Sequence, residues 1–349
     1  MSVALSDTGH KGETRKMLVS ALIRKEETAD IILPSKIGDC VMAFPALVCL
    51  RQLIDRSRGR KFKVRLFSSS KLKEVLKLLP GFEICEFGLK AKIKSLFFPS
   101  DNALFLHATT KNHGFNAKKT YGMPVKAKNL RYHNDMTYLS VNETRNLLPE
   151  ELFEYLKTKY GFSTLTIGFF GICLELGFTA EDIMKHFVFD KETISFGDNL
   201  SASSEIPEGK KYFVFCMEAA NGGKKDADRR WDEAYYLEIA ERIYKEHNIE
   251  AVFIGTDDSM KLPDVAWVKD FRKKMSLYGL CGLFKNSMGY IGNDTGPLHL
   301  ANLMKKPSVG IYFRWASLTD YTPVFKELNR PLFCPESTDR VLQEVNKIL

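Results

Sequence analysis

Two short segments of this chain concentrate polar residues in patterns that could do chemistry. The first is Gly292-Asn293-Asp294-Thr295-Gly296-Pro297-Leu298-His299-Leu300-Ala301. An apolar run enters a loop of small and hydroxyl-bearing residues, and a helix follows with Pro297 in its first turn, where a missing N–H costs nothing. Asp294 or Thr295 can cap it. The first turn of such a helix exposes unpaired N–H groups and partial positive charge, which favour a phosphate. Gly296 allows close backbone approach, and Thr295 offers a hydroxyl donor. The same residues also suit an ordinary capped helix. His299, one turn on, reads either as a core residue or as a second polar contact. The second segment is Ser35-Lys36-Ile37-Gly38-Asp39, which reads on its own as a turn with Asp39 as helix cap. The 292–301 loop does not match GxGxxG or GxxxxGK[ST], which disfavours a nicotinamide dehydrogenase or a P-loop NTPase.

Elements must carry these segments. Ala29 to Pro34 is a short strand, the 35–39 turn follows, and Val41 to Ile54 has helical spacing. Lys63 to Ser68 and Ala103 to His107 are strands, with a helix at Leu72 to Leu79 between them. Leu148 to Tyr160 and Ile167 to Leu176 read as helices leading to a Ser/Asn/Gly/Pro-rich linker, Ser195 to Gly209. A second series then begins. Its strands are Tyr212 to Met217, Ala251 to Gly255, Gly289 to Asn293 and Ser308 to Tyr312. Its helices are Asp232 to Glu246, Ser276 to Asn286, Pro297 to Met304 and a closing Thr338 to Leu349. Two α/β series predict two Rossmann-like domains, with ligand in the cleft at the carboxyl ends of the strands. The expected division is an extension at 1–28, domains at 29–200 and 201–335, and a closing helix at 336–349.

With 349 residues, 44% hydrophobic and 27% charged, the chain has the length of roughly two domains and a globular composition. No apolar run is expected to reach the ~18 residues of a membrane span; the longest candidate, Leu165 to Leu176, is broken by Gly168, Gly171 and Glu175. The polar N-terminus is unlike a secretory signal, so a cytoplasmic protein is expected. Seven widely spaced cysteines without CxxC predict reduced core thiols, and no metal site is expected. The net charge is +8, yet Arg51 to Arg131 holds 19 Lys+Arg against 5 Asp+Glu. The region reads as a solvated basic face or as the footprint of an acidic partner. Phe97-Phe98-Pro99 and the 111–131 segment mix aromatics with bases, but no nucleic-acid motif accompanies them.

The residues also carry a resemblance. D-[ST]-G-x-x-H-L-A after an apolar strand resembles the signature of glycosyltransferase family 9, the bacterial heptosyltransferases. Ile37-Gly38-Asp39 with Phe44-Pro45-Ala46-Leu47 and Leu50-Arg51 is similar to the family's first turn and helix. Arg229-Arg230-Trp231 stands where the family shows a basic residue and Trp before a helix. Three motifs in order span Ala29 to Pro323, although 85–200 match only in outline.

The resemblance implies a GT-B arrangement of two facing Rossmann-like domains, and transfer of a heptose from ADP-heptose to the lipopolysaccharide inner core, with inversion and without a metal or other cofactor. It implies Asp39 as general base, although a helix N-terminus stabilises a carboxylate and weakens it as a base. Ser35 and Lys36 would contact acceptor or donor. Asp294, Thr295, Gly296, Pro297 and His299 would cradle the diphosphate, with Arg229 at the family's phosphate-binding Lys position. Asp257 or Asp258, with Asp258 preferred, would meet the ribose. Arg60, Lys61 and Lys111, from the basic region, would meet an anionic glycolipid acceptor at the inner face of the inner membrane. Asp232 departs from the family's Pro after Trp, and Tyr312-Phe313-Arg314-Trp315 departs from its glycine-containing turn, which leaves the base open. Asp226-Ala227-Asp228 resembles the metal-binding DxD of another transferase class and is set aside for the fold. Two alternatives remain: a nucleotide-sugar epimerase of the same arrangement, and a non-catalytic nucleotide-sugar or glycan-binding relative.

Overall fold

The computed structural model describes residues 26–57, 61–79, 81–106, 115–122, 148–194, 206, 209–219 and 229–349. Expectations resting on residues 1–25, Arg60, Lys111, Asp226-Ala227-Asp228 and most of the 195–209 linker lie outside the described residues.

The first half runs β1 (Glu27–Ile32), α1 (Ile37–Met42), α2 (Phe44–Arg56), β2 (Phe62–Ser68), α3 (Ser70–Leu76), β3 (Glu83–Glu86), α4 (Leu89–Phe97), β4 (Ser100–Phe105) and β5 (Ala117–Gly122). All pairings are parallel and the strand order is β3-β2-β1-β4-β5. Helices α5 (Glu150–Tyr160), α6 (Thr164–Gly168), α7 (Gly171–Glu175) and α8 (Ala180–His186) follow. The second half runs β6 (Tyr212–Cys216), α9 (Glu233–His247), β7 (Glu250–Phe253), β8 (Val268–Asp270), α10 (Leu277–Asn286), β9 (Gly289–Asn293), α11 (Gly296–Leu303), β10 (Ser308–Tyr312), α12 (Trp315–Asp320), β11 (Asn329–Phe333) and α13 (Thr338–Val345). Its sheet is also parallel, in the order β11-β10-β9-β6-β7-β8.

Both orders reverse direction once, between β1 and β4 and between β6 and β9. Ligands of open α/β sheets bind outside the carboxyl ends of the strands at such a reversal. The 35–39 segment leaves β1 and the 294–299 segment leaves β9, so both polar segments sit where the topology opens a crevice.

The second sheet follows from its sequence. β6, β9 and β10 are buried at every residue, as parallel strands covered on both faces must be. Asp232, the departure from Pro, caps α9 by accepting the Ala234 N–H at 2.9 Å, so a different residue performs the same start. The closing helix α13 packs Val341, Leu342 and Val345 into the core of this half.

The stretch Ile37–Arg56 is long and apolar enough, by length and composition, to cross a membrane, contrary to the sequence expectation. Asp39 and Pro45 hide its continuity in the sequence. In the fold 67% of it is buried, and it lies in the core beneath β1 and β2. That core is continuous across the halves: Phe189 stacks on Phe325 with ring centroids 5.3 Å apart.

Of the cysteines, Cys40, Cys49, Cys173, Cys216 and Cys281 are buried thiols, and none of the seven is bonded to another.

Candidate functional site

The starts of α1 and α11 meet. A β-carbon on Gly296 would lie 2.9 Å from Ile37 Cβ, and one on Gly38 would lie 3.0 Å from His299 Cδ2. At Gly296 a side chain would collide with Ile37, so the glycine lets the two helix starts approach this closely. Asp39 and His299 are thereby brought to one crevice, from opposite sheets.

Asp294 is buried and held from several sides. Arg229 Nη2 donates to both its carboxylate and its carbonyl oxygen, each at 3.0 Å. His299 Nε2 stands 3.7 Å from the other carboxylate oxygen, longer than a hydrogen bond but within ion-pair range. Burial pushes the Asp294 carboxyl up, yet His299, Ser317 and Arg229 together hold it below its ordinary value. It is therefore an anion at neutral pH. His299 is itself buried, and its Nδ1 has no hydrogen-bond partner among the described residues.

The loop is fixed by a residue that the motif reading did not single out. Asn293, fully buried, donates from Nδ2 to the Met217 carbonyl at 2.7 Å and accepts the Trp231 N–H at 3.3 Å. It ties β9 to the end of β6 and to the turn that carries Arg229. Trp231 is anchored in turn by Nε1 to the Pro335 carbonyl at 3.1 Å. Thr295 occupies the N-cap position of α11 without a side-chain cap bond, and its hydroxyl donates to the Asn293 carbonyl at 3.3 Å. Pro297 is in the first turn, as expected.

Asp39 lies in the first turn of α1, behind the extended N-cap residue Lys36, so it is not the cap. It is 7% exposed. Its charge adds to the burial that pushes the Cys40 thiol up to about 12. Tyr321, beyond α12, lies within electrostatic reach of both cleft carboxylates. Burial, then Asp320, Asp39 and Asp294, push its phenol up to about 12. Ser35 and Lys36 are exposed at the crevice edge.

A side cleft opens beside the end of β7, lined by Met217, Glu218, Ile254, Asp257, Met260 and Arg272. Glu218 accepts the N–H groups of Thr256 and Asp257 and, at 2.8 Å, the Thr256 hydroxyl. Gly255 makes this possible: its φ is +153°, and a β-carbon there would collide with the Glu218 carboxylate. Asp257 faces this cleft, whereas Asp258 points to solvent and pairs with Lys273 at 2.6 Å. Of the two, Asp257 lines this cleft and Asp258 does not. Arg272, buried, is gripped by Asp270 at 2.9 and 2.8 Å, and its Nη1 has no hydrogen-bond partner among the described residues.

The basic residues fare differently. Lys61 is exposed just before β2, and its carbonyl accepts the Glu27 N–H. That is the amino edge of the sheet, about 20 Å along β1 from the crevice at ~3.3 Å per residue. It is not a crevice residue. Lys118 is at the same edge and pairs with Asp101 at 2.6 Å.

Among the described residues, no group of three or more His, Cys, Asp or Glu side chains is placed to hold a metal ion.

Residues 100–323 match the sequence profile of glycosyltransferase family 9 (heptosyltransferase). The chain belongs to glycosyltransferase family 9. The match includes Arg229 and the 294–299 loop, while Asp39 lies before it. No curated protein matches the sequence. Among solved structures, the E. coli ADP-heptose LPS heptosyltransferase II superposes with a TM-score of 0.61 at 16% identity, covering 92% of this chain and 98% of that one. E. coli heptosyltransferase WaaC, solved with ADP, gives 0.59 at 14% identity, with 92% and 100% covered. The same enzyme with ADP-2-deoxy-2-fluoro heptose gives 0.58 at 13% identity, with the same coverage. At these identities the likeness establishes the fold, which is the GT-B arrangement of two parallel-sheet halves about a crevice.

Proposed function

We propose that this family 9 member transfers a heptose, with inversion, from ADP-heptose to an inner-core lipopolysaccharide or related anionic glycan acceptor. One observation carries the reading. Arg229, a buried anionic Asp294 and the buried His299 are held together at the start of α11, and Gly38, next to Asp39, packs on the His299 ring from the other sheet.

Asp39 takes the proton of the acceptor hydroxyl as its oxygen attacks the anomeric carbon. The bond from that carbon to the diphosphate oxygen breaks, and the nucleotide leaves with the electron pair. The charge that develops there meets Arg229 and the N–H groups of Gly296 and the residues after it. Asp294 is already neutralised by its neighbours, so its part is to orient Arg229 and His299. His299 Nδ1 offers a buried contact for a sugar hydroxyl. Asp257 and Glu218 line the side cleft suited to the ribose. Ser35 and Lys36 stand at the acceptor edge. The charge stabilisation is supplied by Arg229 and the helix start, so transfer is expected to proceed with a chelator present.

Calorimetric titration with ADP, UDP, GDP and CDP, in chelator, tests the reading. The expected result is selective ADP binding that weakens about tenfold or more in Arg229→Ala. Preference for another nucleotide removes ADP-heptose as donor. Absence of binding to all four counts against a transferase acting through this crevice.

A further inference from the structure

Helix α4 is built inside out. At about 100° per residue, Ala91 and Ser95 share one face, and Leu89, Ile93, Leu96 and Phe97 share the opposite one. The small face is turned inward. Ser95 is buried, its hydroxyl donating to the Lys92 carbonyl at 2.7 Å and accepting the Asn116 N–H at 2.9 Å. Ala91 packs on the cluster of Phe67, Phe105 and Phe115. The large apolar face is turned to solvent: Leu89 is 74% exposed, Leu96 60%, Phe97 73% and the following Phe98 72%. With Ile93, these are five of the twelve exposed large hydrophobic side chains among the described residues, gathered within ten positions. Of the other seven, Trp315 and Phe333 pair edge to face at 5.5 Å, and none forms a group as large as this one.

The chemistry of the missing partner is written around this face. Lys90, Lys92 and Lys94 flank it, and no acid occurs between Phe87 and Asp101. Lys92 lies over the Phe87 ring at 5.4 Å. A convex helix that projects aliphatic and phenyl groups between lysines is suited to a deformable anionic phase. We propose that α4 docks the protein on an anionic bilayer. Leu89, Ile93, Leu96, Phe97 and Phe98 enter the acyl boundary, and the three lysines lie among phosphate headgroups. Helix α4 starts at the carboxyl end of β3, the sheet edge from which the Asp39 turn also leaves β1. It ends just before β4 begins, so Leu89 lies toward the crevice edge and Phe97 and Phe98 toward the opposite edge, and docking lays the flank of the first half along the bilayer. The purpose of this arrangement rests on the glycolipid acceptor proposed above; the docking itself does not.

The test is co-sedimentation of the full chain with vesicles of phosphatidylglycerol and phosphatidylethanolamine that contain no glycolipid. The wild type is expected to bind them, to bind phosphatidylcholine vesicles far less, and to release at high salt. Leu96→Glu/Phe97→Glu is expected to lower the partition coefficient at least about tenfold without changing the melting temperature. Equal binding by the variant, or no binding by the wild type, overturns the proposal. A lower melting temperature in the variant shows that the face is already covered by the chain itself and also overturns it. So does a wild-type dimer that the variant dissolves, since the occupant is then a second copy. The variant should keep its rate on a lipid-free oligosaccharide acceptor. If the wild type is inactive on every acceptor yet binds vesicles, the transferase reading fails and the docking stands.

Discussion

The two carboxylates that meet in the crevice are held in different ways. Asp294 leaves a strand buried at every residue, and a guanidinium, an imidazole and an asparagine-tethered loop fix it. Asp39 stands in the first turn of a six-residue helix whose cap residue, Lys36, makes no side-chain cap bond. Its half of the molecule is also less uniformly apolar. The sheet face under α4 carries the buried Asp30 in a bidentate pair with Arg65, at 2.6 and 2.8 Å, and the Thr28–Asp101–Lys118 chain of hydrogen bonds. The difference suggests a division of labour. An anion locked against a guanidinium is a poor proton acceptor and a good organiser, so the base is sought on the other side of the crevice.

The largest effect that can break this comparison is Asp39→Asn. It is expected to lower the transfer rate by about 10²–10⁴, the usual loss when a general base is removed, while ADP affinity measured by calorimetry stays within a few-fold. A variant that transfers at the wild-type rate would place the base elsewhere, and the asymmetry between the carboxylates would lose its functional meaning.

Next is the tether. Asn293→Ala removes both side-chain bonds and leaves the Met217 carbonyl and the Trp231 N–H buried without partners. Each such group costs about 1–3 kcal/mol, so thermal unfolding should drop by several degrees and ADP binding should weaken as the Arg229 turn loosens. If stability falls but ADP affinity does not, Asn293 supports the fold alone.

The pH dependence of stability sharpens the contrast further. The folded Asp294 carboxyl lies below its ordinary value. Its stabilisation is therefore complete above the unfolded carboxylate value, near 3.9, and is lost as pH falls through the lower folded value. Asp294→Asn should flatten the acid limb of a melting-temperature profile relative to wild type below about pH 4. The other lowered carboxyls, Asp101 and Asp270 among them, contribute equally to both proteins and cancel in the difference. Parallel acid limbs would mean that Asp294 is not held as an anion.

The same contrast governs how much could be read from the residues. Strands β9 and β10 have the boundaries expected from sequence, because a wholly buried parallel strand is a continuous apolar run between polar breaks. Helices α9 and α10 fall within a residue of expectation, with Asp232 and Ser276 capping them. In the first half, β3, α4 and β5 were not foreseen. Glu83–Glu86 and Ala117–Gly122 are short, polar edge strands without alternation, and α4 turns its apolar residues the wrong way for a core helix. The 294–299 loop was legible because its signal is local. The Arg229–Asp294 pair spans 65 positions, and the Asn293, Glu218 and Tyr321 contacts are likewise long-range. They depend on β6 lying beside β9, which no local pattern states. The sequence does not separate Asp257 from Asp258 for the same reason: only the path of the chain after Gly255 decides which carboxylate faces inward.

The smallest expected effect tests whether the two halves communicate where they touch. In Gly38→Ala the new methyl would sit 3.0 Å from His299 Cδ2, tighter than an ordinary van der Waals contact. His299 is buried against Asp294 with little room to retreat. A one-methyl overpacking of this kind costs about 1 kcal/mol, so the melting temperature should fall by a few degrees at most. The consequence for chemistry should be larger than that for stability, because the imidazole that gives way belongs to the set orienting Arg229. Transfer is expected to slow several-fold, with ADP affinity reduced to a lesser extent. If Gly38→Ala melts lower yet transfers normally, the contact between α1 and α11 is packing alone, and the organising set of the second half works without the first.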